Sequence, residues 1–110
     1  MKTEFFEFVG HDGSSLPAVV WKPEGEVKVV LQITHGMTEH MGHYEALAEY
    51  LVPLGIGVAG FDLRGHGKNP GDAEVASFGE GGWAASIEDM RLFYELLEQR
   101  FAGSPHYMLG

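Results

Sequence analysis

The sequence has no cysteine, which excludes disulfides, thiolate metal ligands and a cysteine nucleophile. It is also short of bases: 7 Lys and Arg stand against 16 Asp and Glu, for a formal charge of −9. Gripping a nucleic-acid backbone needs the opposite balance, so no nucleic-acid partner is expected. The same deficit gives no attraction to an anionic membrane. No apolar run approaches the length of a bilayer span, so no transmembrane segment is expected. The opening M-K-T-E-F-F-E-F carries acids where a secretory leader needs an unbroken apolar core, so a cytoplasmic setting is expected. Internal repeats and low-complexity linkers are missing as well.

What is present is a globular balance over 110 residues, with 45% hydrophobic and 21% charged residues, enough for one domain. The 16 glycines lie between apolar runs and read as turns and close approaches rather than as a flexible tract. Glu4 to Val9 reads as an aromatic-rich strand. Asp12-Gly13 is a hairpin turn signal, and L-P-A-V-V-W-K-P returns as a second strand ended by Pro23. Val27 to Thr34 is nearly continuous apolar and β-branched, the pattern of an interior strand covered on both faces.

From Tyr44 the period changes. Tyr44, Leu47, Ala48 and Leu51 form the apolar stripe of a helix, with Pro53 and Gly55 as stop signals. Gly55 to Asp62 is a strand of small and apolar residues. A Gly-, Asn- and Pro-rich loop runs from Arg64 to about Gly71. Ser77 and Glu80 have capping-box spacing, but Gly79, Gly81 and Gly82 shift the expected helix start towards Trp83. Trp83, Ile87, Met90, Tyr94, Leu97 and Phe101 mark one helical face, and Gly103 and Pro105 end it. H-Y-M-L, His106 to Leu109, reads as a last, buried strand. The order β-β-β-α-β-α-β predicts an α/β fold with a mostly parallel sheet and an antiparallel N-terminal hairpin.

Two strand-end stretches carry candidate chemistry. His35-Gly36 follows an interior strand, where parallel sheets place ligands. A backbone N–H there, that of Met37 above all, is placed to face an oxyanion; the competing reading is a plain strand end. D-L-R-G-H-G, Asp62 to Gly67, reads mainly as a structural turn, with Asp62 and Arg64 tying down backbone groups. A supporting hydrogen bond to the neighbouring strand-end loop is its functional alternative. It is not a phosphate loop, because Asp62 occupies the first glycine position and Asn69 the Ser/Thr position. His35, His40 and His43 match no standard zinc spacing, so no metal or cofactor is expected. His40 and His43 read as loop hydrogen-bonders or helix-start residues. Glu88, Glu95 and Glu98 read as a solvated helix face, and Asp89 as either solvated or a buried, loop-contacting acid.

Taken in order, H-G-M-T-E-H-x-G-x-Y, F-D-L-R-G-H-G, G-W-x-x-x-I-E-D-M and Y-M-L-G resemble the start of the α/β-hydrolase fold. Within it they are most similar to the monoacylglycerol lipase and lysophospholipase-like branch, grouped with serine aminopeptidases of the S33 type. The resemblance covers about Phe5 to Gly110. It implies that His35 and Gly36 form the oxyanion loop with the Met37 N–H as first donor. It implies that Gly110 opens the G-x-S-x-G nucleophile elbow, whose next N–H completes the hole. One departure is that Lys68, Asn69 and Pro70 stand where the family often has Ser.

Residues 1–110 are then expected to be the N-terminal part of one α/β-hydrolase domain, ending two residues before the nucleophile. None of Ser14, Ser15, Ser77, Ser86 and Ser104 has glycine at −2 and +2 together. The implied activity is hydrolysis of a lipid-like carboxylic ester through an acyl-serine, to which this chain contributes half of the oxyanion hole and no triad member. By itself it is expected to be inactive. The alternative is a non-catalytic truncated module or interaction fragment. The resemblance also leaves the far side of the last strand unpaired, an apolar edge open to the rest of the fold or to self-association.

Overall fold

A computed structural model describes residues 1–35, 40–62 and 82–109, with side chains from Ser86 onward in the last stretch. The elements are β1 (Lys2–Val9), β2 (Ser15–Lys22), β3 (Val29–Ile33), a 3-10 turn (Met41–Tyr44) and α1 (Glu45–Leu51). A second 3-10 turn (Val52–Leu54), β4 (Ile56–Phe61), α2 (Gly82–Arg100) and β5 (His106–Leu109) follow. The five strands form one mixed sheet in the order β1-β2-β4-β3-β5. β1–β2 and β2–β4 run antiparallel, and β3 pairs parallel with both β4 and β5. The expected α/β architecture with its N-terminal hairpin is therefore observed.

The alternation of side chains along each strand splits the core in two. On one face Phe8, Leu16, Ala18, Val20, Val30, Ala59 and Phe61 meet Met90, Phe93 and Leu97 of α2. On the other, Val19, Trp21, Ile33 and Val58 meet Met41, Ala48 and Val52. Phe93 lies at the centre of an aromatic group, its ring centroid 5.1 Å from those of both Phe8 and Phe61. The helices thus cover opposite faces, and the central strands are buried on both, which is why β3 and β4 read as continuous apolar runs.

α1 is shorter than the stripe from Tyr44 suggests, because 3-10 turns carry both its flanks. Gly55 ends the second turn at φ +92°, a left-handed conformation that L side chains resist. The buried line of α2 also differs from the expected one. Ser86, Asp89, Met90, Phe93 and Leu97 face inward, whereas Ile87 is half exposed and Tyr94 only half-buried. Counting apolar residues alone skips Ser86 and Asp89, so the predicted stripe is rotated by about one residue. Asp89 is buried because it has a partner: its Oδ1 accepts from the His11 backbone N–H at 3.0 Å and lies 2.8 Å from His11 Nδ1. The second reading of Asp89, a buried acid holding a loop, is the one observed. Glu88 and Glu95 pair with Arg91 on the outer face.

β5 is not the buried strand that its composition suggests. Among the described residues it pairs only with β3, and Tyr107, Met108 and Leu109 are 60%, 53% and 47% exposed. The reason is position: β5 is the edge of the described sheet.

Candidate active site

β3 and β4 are parallel, so the segments that leave them emerge at the same edge of the sheet. The β3–β5 ladder runs one bond further, from the Thr34 N–H to the Leu109 carbonyl at 2.9 Å. His35 follows and is buried, at 3% exposure. Gly36, Met37 and Gly110, the other expected site residues, lie outside the described residues, as do Arg64, Ser77 and Glu80.

The chain is described again from His40, where the loop is fastened in three ways. His40 caps the 3-10 turn, its Nδ1 accepting the Gly42 N–H at 3.1 Å. The Met41 N–H donates to Asp62 Oδ1 at 2.9 Å in a buried bond that joins the two strand-end segments. The Met41 side chain, 3% exposed, lies over Gly60, where an added Cβ would come within 2.5 Å of its sulfur and 2.7 Å of the Ile33 carbonyl oxygen. Asp62 is fixed in turn, its own N–H donating to the Pro17 carbonyl at 2.8 Å.

Asp62 therefore supports the neighbouring strand-end segment, the functional alternative offered for D-L-R-G-H-G, whereas the structural turn from residue 63 on lies outside the described residues. Sequence reading misses the roles of Met41 and His11, while the glycines of the Gly55–Asp62 strand read as close packing, which Gly60 shows. Gly60, between Ala59 and Phe61 in a strand, was the available signal of a close approach; a lone turn histidine carries none.

A hollow of about 180 Å³ opens beside this junction, lined by Pro17, Val19, Trp21, His40, Glu45 and Asp62 among others. The His40 and His43 rings lie 4.1 Å apart, tilted by 42°. Among the described residues no three His, Asp or Glu side chains converge as a metal site would require. No helix among them is long and apolar enough to cross a membrane.

The family model for serine aminopeptidases of the S33 type matches residues 25–110. The chain belongs to that family and has the α/β-hydrolase fold. Human monoglyceride lipase is 32% identical over 102 residues, 93% of this chain and 32% of the lipase. Vaccinia virus Protein K6 is 41% identical over 54 residues, 49% of this chain and 67% of K6. A thermostable carboxyl esterase from Bacillus coagulans superposes on the whole chain with a TM-score of 0.86, at 24% identity and over 36% of its own length. That last likeness is one of fold. The chain spans about a third of the length of the human lipase.

Proposed function

We propose that this chain supplies the first strands and the oxyanion loop of a serine carboxylic-ester hydrolase acting on monoacylglycerol- or lysophospholipid-like esters. The observation that carries the reading is the buried bond from the Met41 N–H to Asp62. It fastens Met41, at the start of the 3-10 turn, to the end of β4 at the carboxyl edge of the sheet, near which acyl-transfer chemistry needs a rigid N–H donor. In this reading His35 and Gly36 form the turn, and the Met37 N–H is the first oxyanion donor. Gly110 opens the elbow of a serine supplied by polypeptide beyond it. That serine, activated by a base, attacks the ester carbonyl; two N–H groups hold the resulting oxyanion, and water releases the acid. Donors held in place before reaction stabilise the developing charge without reorganising, which accounts for the buried fastening. The remainder of the hydrolase fold would then cover β5. The affinity for lipid-like esters is supported by the name of the human relative, a monoglyceride lipase.

A second reading has its own support. Protein K6 is matched over 67% of its length by 54 residues, so it is shorter than this chain. A short chain of this kind acting as a non-catalytic module is the alternative.

Intact mass before and after treatment with a fluorophosphonate, alongside a monoacylglycerol hydrolysis assay, separates the two. The hydrolase reading expects the 12.1 kDa chain to gain no adduct alone. It expects a species that includes the following polypeptide to gain one adduct and to hydrolyse the ester. An adduct on the 12.1 kDa chain itself, or an inert longer species, overturns it.

A further inference from the structure

We infer that the hollow between β2 and the Met41–Tyr44 turn binds a small ammonium alcohol, a cation with a carbon shell and one hydroxyl group. Val19 and Trp21 of β2 face the side that carries α1, and with Pro17 and Phe5 they make its apolar walls. Its volume of about 180 Å³ lies below the roughly 300 Å³ at which drug-sized pockets begin, so the occupant is small. Two carboxylates, Glu45 and Asp62, line it, and no lysine or arginine does. Asp62 is buried, its Oδ1 engaged by the Met41 N–H, whereas Glu45 is exposed and open to a ligand. The second observation is Trp21. It is 1% exposed, and its indole Nε1 is buried with no hydrogen-bond partner among the described residues. A buried donor costs free energy until an acceptor reaches it.

Each feature removes a class of occupant. An anion would face two carboxylates with no lysine or arginine to offset them. A calcium ion needs about six or more oxygen ligands, and most of these walls are carbon. A hydrocarbon would leave the indole N–H unpaired and the acids unused. An alkylammonium meets all three conditions. Its charge sits beneath carbon that apolar and aromatic walls accept, and Glu45 and Asp62 supply the opposite sign. A hydroxyl on a short arm then accepts from the Trp21 Nε1–H. The formal charge of −9 on the chain further raises the local concentration of such a cation. The assignment rests on the hollow and Trp21 alone, so it stands or falls apart from the ester-hydrolase reading.

Titration of the whole chain with choline, followed by proton and nitrogen NMR of its 2 tryptophan indoles, tests it without any activity measurement. Trp83→Phe identifies the Trp21 signal. Choline should shift that signal saturably. Dimethylbutanol, in which carbon replaces the nitrogen, should bind about tenfold more weakly, within the usual worth of a cation against aromatic walls. Tetramethylammonium, which lacks the hydroxyl, should bind more weakly and move the indole less. Glu45→Gln, at an exposed position, should weaken choline about threefold, the weight of one exposed ion pair, and leave the thermal midpoint unchanged. A Trp21 indole that does not respond to choline overturns the inference. So does dimethylbutanol or tetramethylammonium binding as tightly as choline, and so does an unchanged choline affinity in Glu45→Gln.

Discussion

A single hydrogen atom at Gly60 decides how close the Met41–Tyr44 turn comes to the sheet. The Met41 sulfur and methyl occupy the space that a side chain would take, and the Ile33 carbonyl closes the other side. A flexible methionine can yield, but a strand carbonyl cannot. Gly60→Ala is therefore expected to lower unfolding stability by about 1–3 kcal/mol, the range for forcing a methyl group into a packed contact. Urea denaturation measures it, and an unchanged midpoint would mean that Met41 repacks freely. Asp62 and Asp89 make a parallel point. Both acids are buried, at 4% and 0% exposure, and both accept from backbone N–H groups far away in sequence. Sequence reading offers each role as one of two alternatives and cannot choose between them, because a carboxylate reads as a surface group until its partner is located.

At the scale of elements, the strands were legible and the helix faces less so. The continuous apolar runs of β3 and β4 arise because both of their faces are covered, and a run of that kind has no phase to misjudge. α2 does have a phase. Its inward line includes Ser86 and Asp89, so a purely apolar count rotated it and omitted Phe93, which is fully buried. β5 went wrong for another reason. H-Y-M-L has the composition of a covered strand, and what leaves it exposed is its place at the edge of the described sheet, with β3 as its one neighbour among the described strands. An open apolar edge is a template for pairing with another strand. The chain is expected to self-associate with rising concentration, and Leu109→Lys to suppress this with little change in the melting midpoint of the dilute protein. Sedimentation velocity across a concentration series decides the matter; a concentration-independent monomer of the parent chain would count against it.

For the molecule as a whole, two groups, His106 and Glu4, tie stability to successive parts of the acid range. Burial pushes His106 below its ordinary value of 6.5, against a smaller opposing pull from Glu98. The ring stacks on Tyr94 at 4.0 Å, and its Nε2 is buried with no hydrogen-bond partner. A depressed histidine binds its proton more readily in the unfolded chain. Its contribution is therefore complete above 6.5 and is lost as pH falls through the lower folded value. Glu4 is held below its ordinary 4.5 by its hydrogen bonds to Lys22 and then Arg100. Its contribution is complete above 4.5 and is lost further into acid. Both signs agree, so stability should fall in two steps on acidification. His106→Gln should flatten the upper step alone, as read by chemical denaturation between about pH 5 and pH 7.5. An identical slope in the variant would assign that step elsewhere.

The amino-acid sequence by itself determined the element order, the antiparallel hairpin, the parallel run of the later strands and the family, because these rest on local periodicity and on contiguous motifs such as H-G-M-T-E-H and D-L-R-G-H-G. Tertiary structure alone decided which acids are buried, which side of α2 faces the sheet, and what fastens the Met41–Tyr44 turn. Each of these depends on a partner distant in the chain: Asp62 for Met41, 21 residues away, and Asp89 for His11, 78 residues away. A buried charge is tolerable only where such a partner meets it, and no local pattern records that meeting.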